Sequence, residues 1–482
     1  MTIAAAAPFA RYRPPAPEPL ERPLGTLAFL RALTSNPLNV WTRQAYEEPF
    51  VDLPGNVIGP RLLVNDPEAI RRILVENEGN YLRDDLQLRI LRRTIGLGLF
   101  TAEGAAWRAQ RKVVAPLFSA RAVSGFLPAM AAAAEAGIER LSASPDGTVL
   151  DVAEQMSTIA LDVLERTLFR DGFRTPLAEV GRHSKRFVDG AGAVTILDVL
   201  GLPEWIPGLR LLRVRSDQRA LSAMVDRMIA ARRAAPPKPD GEGPETRDIL
   251  SALLAAADRE TGIGLSEREV RDNVLTFIGA GHETTGYALS WALFLLSGAP
   301  DVRAAAEAEA DAVLGSDREA PAGIADLPLV RAVIEESMRL YPTAPFLSRV
   351  ARQDDVIGGR PIRAGSLVLI VPWLLHRHRR LWSDPDVFDP GRFLPDRRES
   401  VPRFAYLPFG AGPRVCIGSA FALQEATLVL ARILSRFRFD LAPGHVIEPV
   451  QRITLRPRGG MPMILRHRAA PTSGLAGADT PR

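Results

Sequence analysis

Residues 409–418 read FGAGPRVCIG and contain Cys416, the single cysteine of the 482-residue chain. A thiolate binds metal well and a thiol binds it poorly, so a ligating cysteine needs surroundings that favour S⁻. Gly410, Gly412 and Gly418 let the backbone pass close to a large flat ligand and can turn N–H groups toward sulfur. A helix expected to begin just past Cys416 adds its positive dipole end. Structural zinc wants four Cys or His ligands, and no second cysteine exists. Haem iron needs only one protein ligand, and a Cys thiolate is one of its axial choices. A cysteine nucleophile stays open at this point, because the six histidines could lie anywhere in the fold. A small buried hydrophobe is the ordinary reading of a lone cysteine. The glycines and Arg414 around this one tell against it.

Composition bounds the rest. Hydrophobic residues make up 46% and charged residues 24%, enough to bury a large core. One cysteine excludes an intramolecular disulfide, which makes a reducing cytoplasm the expectation. The net charge is only +4, but residues 401–482 carry eleven Arg against four Asp or Glu. That surplus suggests a basic face for an acidic protein partner. Nucleic acid is disfavoured, since no basic run interleaved with aromatics occurs. The N-terminal MTIAAAAPFARYRPPAPEP has neither the form of a signal peptide nor that of a membrane span. The uncharged run Thr284–Pro300 falls short of the roughly 18 to 20 residues a span needs. It reads as a buried helix.

Residues 1–24 read as a flexible arm. A hairpin is expected over FVDLPGNVIGPRLLVND, and a helix over PEAIRRILVEN behind Asp66-Pro67. The pattern is helical from Gly104 to Phe169 and again from Ile249 to about Tyr341. A Pro- and Gly-rich stretch, 234–248, separates helical regions. Strands follow at SLVLIVPW, then an irregular stretch over 383–403, one long helix from about Ile417 and a final strand pair. Residues 469–482 read as a disordered tail. The chain is mainly α, with a small β part near the two ends of the sequence.

FGAGPRVCIG resembles the haem-binding loop of the cytochromes P-450, with Phe-Gly-x-Gly-x-Arg-x-Cys-x-Gly matched at every fixed position. Other segments follow in family order over about residues 40–466. AGHETT (280–285) is similar to the oxygen-activating segment. There the resemblance gives Ala280 a place beside the haem, Glu283 a proton relay and Thr284 a hydrogen bond to bound oxygen or water. ESMRLYP (336–342) carries the Glu-x-x-Arg pair, Glu336 and Arg339. DPGRF supplies the second arginine, Arg392, behind Gly391 where the family more often has Glu. WRAQR (107–111) resembles the helix whose Trp107 and Arg111 meet a haem propionate, and Arg349 in PFLSR and Arg414 fit the same task. Phe409 opens the cysteine loop itself.

The resemblance implies one haem domain over residues 25–468, holding haem b through Cys416. It implies a monooxygenase that uses O2 on a lipophilic molecule such as a fatty acid or terpenoid. A separate acidic ferredoxin or flavodoxin with its reductase would supply electrons. A monomer without a transmembrane anchor is expected, with peripheral membrane contact possible through the apolar segment 194–212 and its Trp205. The pocket is expected to draw on residues 83–100, Phe346 and Leu347. Two alternatives stay open. One is an isomerase or peroxygenase acting on hydroperoxides, although peroxygenases of the family lack the Glu-Thr pair. The other is a non-enzymatic haem sensor.

Overall fold

The computed structural model describes residues 9–53, 60–170, 172–191, 209–234, 248–256, 265–315 and 324–468. Capping chemistry sets the helix starts. Helix α1 covers Gly104–Val114 and α2 covers Leu127–Ser142. In α3 (Val152–Leu168) the Asp151 carboxylate accepts from the Ala153 N–H. Next come α4 (Leu177–Ala191) and α5 (Leu209–Ala234). Helix α6 (Glu267–Gly298) opens on a capping box, in which the Ser266 and Glu269 side chains each accept from the other's backbone N–H. Both α7 (Pro300–Leu314) and α8 (Pro328–Leu340) begin on proline, where a missing N–H costs nothing. Finally, α9 (Ser419–Leu434) starts directly behind the Cys416 loop.

Helix α6 runs through the core and is buried along nearly its whole length. It lies close against α3 because Gly286 has no side chain; a Cβ there would sit 2.6 Å from the Ser157 hydroxyl. Further along, the Trp291 ring stacks on Tyr341 at 4.1 Å between centroids. Tyr341 ends α8, and the Trp373 ring packs near it at 6.3 Å between centroids.

The largest sheet joins distant parts of the chain. Strand β1 (Phe50–Leu53) pairs antiparallel with β2 (Arg61–Val64), Phe50 opposite Val64. In turn β2 runs parallel to β8 (Leu367–Ile370), which pairs with β5 (Leu347–Ala351), and β5 with β3 (Tyr81–Leu82). A small hairpin joins β6 (Asp355–Ile357) to β7 (Arg360–Ile362). A second sheet sets β12 (Pro462–His467) between β4 (Val149–Asp151) and β9 (Phe437–Leu441). A second hairpin pairs β10 (Pro449–Gln451) with β11 (Leu455–Pro457).

The small β part lies mostly near the two ends of the sequence, as expected, with β4 set inside the helical run over 104–169, where its three residues complete the edge of β12. Two expectations need correction. The arm does not hang free from Tyr12 on. Phe388 N–H donates to the Tyr12 carbonyl at 2.9 Å, and the Tyr341 hydroxyl donates to the Pro15 carbonyl at 2.7 Å. The C-terminal arginines do not form one basic face. Arg432 is buried and, with Arg436, pairs with Glu135 of α2. Arg438 pairs with Glu307, and Arg468 with Asp311, both on α7. Acids from elsewhere in the chain thus absorb much of that surplus charge.

The tail 469–482, the loop 235–247 and residues 194–208 of the apolar segment, with Trp205, lie outside the described residues. Among the described residues no helix is long and apolar enough to cross a membrane.

Candidate functional site

The cysteine loop is bent by two glycines in the left-handed region, Gly410 (φ 71°) and Gly412 (φ 72°). A Cβ on Gly412 would lie 1.8 Å from the Leu74 carbonyl oxygen, so the loop can pass there only as glycine. Backbone bonds then fix Cys416: its N–H donates to the Phe409 carbonyl at 2.9 Å, and Val415 N–H donates to Gly412 at 3.0 Å. Arg111, from α1, donates to the Val415 carbonyl at 3.0 Å.

Cys416 keeps exposed surface although its sulfur lies deep in the protein. Its exposure therefore opens onto an interior space. Burial pushes the thiol pKa up, while the Gly418 N–H and the Arg111 charge push it down. Desolvation thus outweighs the expected loop N–H together with the Arg111 charge, and a metal would have to draw off the proton.

A matching opening occurs on α6. Ala280 is exposed and Thr284, one turn on, is half-buried, while residues 272–278 and 285–296 are buried. One stripe of a core helix therefore faces a space that no side chain fills. Phe118 links the two openings. It stacks on Phe277 at 5.8 Å and meets Phe421 of α9 edge-on at 6.2 Å.

Three arginines gather beside this space. The Arg414 guanidinium lies 4.0 Å over the Trp107 ring and 3.0 Å from Glu103. Arg349 donates to the Ser348 carbonyl at 2.8 Å. Arg83 donates to the Phe100 carbonyl and lies 3.9 Å from Glu103. Burial first, then the neighbouring Arg349, Arg414 and Arg92, pushes the Arg83 pKa down to about 10, against the pull of Glu103. Burial lowers Arg349 and Arg414 too. Three desolvated cations share one close carboxylate, an arrangement that is costly unless further anions complete it. The two carboxylates of a haem would do so. The glycine-bent loop, the open sulfur and the small-residue stripe fit the same flat group. Among the described residues no group of three His, Cys, Asp or Glu side chains could hold a bare metal ion.

The sequence-picked residues divide. Cys416 is joined to Phe409 and Arg414 to Trp107, and Arg349 lies within electrostatic reach of Arg414. Arg111 holds the loop backbone at Val415. Thr284 donates its hydroxyl proton to the Ala280 carbonyl at 2.7 Å. Glu283 turns elsewhere: its carboxylate accepts from the Thr454 hydroxyl at 3.3 Å and also meets Tyr287. Burial raises its pKa to about 7. Thr454 and Tyr287 were missed, and Arg83 was expected only within the pocket stretch 83–100, not as a member of this cation cluster.

Behind the loop lies an ion-pair scaffold. Arg339 makes two bonds to Glu336, at 2.6 and 2.7 Å, both residues fully buried. Arg392 joins Glu336 at 3.5 Å. Arg339 also donates to the carbonyls of His376, Pro385 and Val387. The His376 ring then accepts from the Leu407 N–H at 2.8 Å, two residues before the cysteine loop.

The comparisons bear on this geometry. The family profile described as Cytochrome P450 matches residues 29–462. The chain is similar to Cyclooctatin synthase of Streptomyces melanosporofaciens, 36% identical over 83% of this chain and 85% of that protein. It is also similar to Cyclooctat-9-en-7-ol 5-monooxygenase of the same organism, 33% identical over 89% and 93%. The crystal structure of the cytochrome P450DA heme domain superposes with a TM-score of 0.79 at 28% identity, over 95% of this chain and 99% of that one.

Proposed function

The chain belongs to the cytochrome P450 family and is a haem-thiolate monooxygenase, and on that premise we propose that it oxygenates a terpenoid-like lipophilic molecule with electrons from a separate protein. The observation that carries this reading is the unfilled stripe of α6, Ala280 to Thr284, on a helix otherwise buried. It offers a small, apolar wall beside the haem space, suited to a bulky hydrocarbon rather than to a polar substrate. The two Streptomyces relatives, one named for monooxygenation of an unsaturated alcohol, favour a terpenoid over a fatty acid.

When bound, the haem supplies O2 activation and insertion of one oxygen atom into a substrate bond. Cys416, as the only cysteine, would give its iron a thiolate. Arg83, Arg349 and Arg414 would hold the propionates, with Trp107 stacked behind Arg414. Arg111 and the Gly418 N–H would temper charge at the sulfur. Burial raises the Glu283 pKa to about 7, so the carboxyl could both take up and release a proton near neutral pH, the poise that suits a proton carrier. The Thr284 hydroxyl, on the open stripe, would orient water or bound oxygen. We read residues 25–468 as one haem domain, acting as a monomer in the cytoplasm, where a chain with one cysteine loses nothing to reduction.

The test is reconstitution with a surrogate reductase, NADPH and O2, on terpenoids chosen by the spin-state shift they cause. An oxygenated product is expected. Thr284→Ala should keep consuming NADPH yet lower product per NADPH by about tenfold or more, with peroxide released instead. Turnover of a hydroperoxide without reductant would favour the isomerase reading.

The electron donor's docking site follows from charge. Arg108 and Lys112 lie one turn apart and exposed on α1, beside the Arg111 that holds the cysteine loop, and Arg403 is exposed just upstream of that loop. An acidic donor landing there would sit near Cys416. Arg108→Glu with Arg403→Glu should slow reduction about tenfold at low salt and flatten its salt dependence. An unchanged rate and salt slope would remove this surface from consideration.

A further inference from the structure

Glu283 is aimed from outside its own helix. The Thr454 hydroxyl that donates to it belongs to the turn between β10 and β11, and both residues are buried. That turn is held on several sides. Arg452 N–H donates to the Thr454 carbonyl at 2.9 Å, and Leu455 N–H donates to Thr343 at 3.1 Å. Trp291, from α6 itself, donates its ring N–H to the Leu455 carbonyl at 3.4 Å. Gln451 N–H donates to the Asn36 side chain at 3.1 Å. A hydroxyl on so constrained a turn has little freedom, so it fixes where the Glu283 carboxyl points. The same hairpin reaches the other way: Arg456 on β11 forms an ion pair with Asp189 near the end of α4.

We propose that the β10–β11 turn positions the Glu283 carboxyl through Thr454, and that the Arg456–Asp189 pair ties this setting to the seat of α4. Thr454 and Arg456 are positioning residues on this view, since neither need touch substrate or haem. The inference rests on Glu283 carrying the proton. Four groups face or bias it: Tyr287 from α6, Thr454 from the hairpin, Lys185 from α4, and Asp151 acting on Tyr287. Lys185 and Asp189 lie one turn apart on α4, so a shift of that helix would move both the charge near Glu283 and the anchor of its hydroxyl partner.

The experiment measures product per NADPH against pH for the full haem-loaded enzyme. Its variants are Glu283→Gln, Thr454→Val, Thr454→Ser and Arg456→Gln. Thr454 lowers the Glu283 pKa, so its loss should raise the pH midpoint of coupling by about half to one unit. It should also cut product per NADPH at the optimum about threefold, as a freed carboxyl loses its geometry. Thr454→Ser, which keeps the hydroxyl, should restore both. Arg456→Gln should move both readouts the same way and serves alone if Thr454→Val fails to load haem. A Thr454→Val that lowers yield but leaves the midpoint in place would mark a packing role and overturn the proposal. So would Thr454→Val and Arg456→Gln that behave like the parent while Glu283→Gln uncouples. If Glu283→Gln itself changes nothing, the proton-carrier reading fails first and the positioning role falls with it.

Discussion

Replacing Cys416 by alanine is expected to abolish the long-wavelength absorption of the reduced, carbon-monoxide-treated protein. The chain has no other cysteine, so no second thiolate can take its place at iron. The fold should survive, because Cys416 keeps exposed surface and its structural bonds come from backbone: N–H to Phe409, with Arg111 on the neighbouring Val415 carbonyl. Haem content should fall without vanishing, since Arg83, Arg349 and Arg414 do not depend on the sulfur. A band that persists in Cys416→Ala would sink the thiolate assignment. Loss of the band together with loss of far-ultraviolet helical signal would show a folding defect instead. Arg349→Ala is the instructive contrast. It removes one of three cations, so haem should be held less tightly while the band position stays unchanged.

Legibility from sequence followed distance along the chain. Phe409–Gly418 could be read because its glycine bends and the Cys416–Phe409 backbone bond are local, although Leu74, Arg111 and Trp107 reach the loop from far along the chain. The Glu336–Arg339 pair was legible for the same reason: i and i+3 on a helix must be neighbours. Thr454 was not, because its bond to Glu283 spans 171 residues and nothing in the turn's composition signals it. Arg432 looked like surface charge until α2 brought Glu135 against it, 297 residues away in sequence. The arm shows the same limit. A Pro- and Ala-rich stretch reads as free chain, yet the pairing of Tyr12 with Phe388 lays it on the body. Arg83 could be placed from sequence only within the pocket stretch 83–100, because the cluster it joins is assembled from distant parts of the chain, Glu103, Arg349 and Arg414.

The second large effect is expected from the scaffold behind the loop. Arg339→Ala should destabilise the protein by about 3–5 kcal/mol, the usual cost of leaving one buried charge without its partner. The cost here falls at the upper end of that range by position as well as by burial. Arg339 serves Glu336 and three carbonyls at once, and its loss would orphan the acceptors at His376, Pro385 and Val387 together. His376 is the hinge of the effect. Its carbonyl is held by Arg339 and its ring receives the Leu407 N–H, so slackening one end releases the approach to the cysteine loop at the other. Arg392 cannot compensate, because at 3.5 Å from Glu336 it reaches the acid and none of those three carbonyls. Denaturant unfolding of the variant, with the carbon-monoxide spectrum followed in parallel, separates stability from loop geometry. The thiolate band should decay before helical signal does. The exposed pair Arg71–Glu68, also spaced i,i+3, is the control, and breaking it should cost at most about 1 kcal/mol. Equal losses from the two substitutions would mean that burial and shared acceptors add nothing, and the link from Glu336 through His376 to the loop would have to be abandoned.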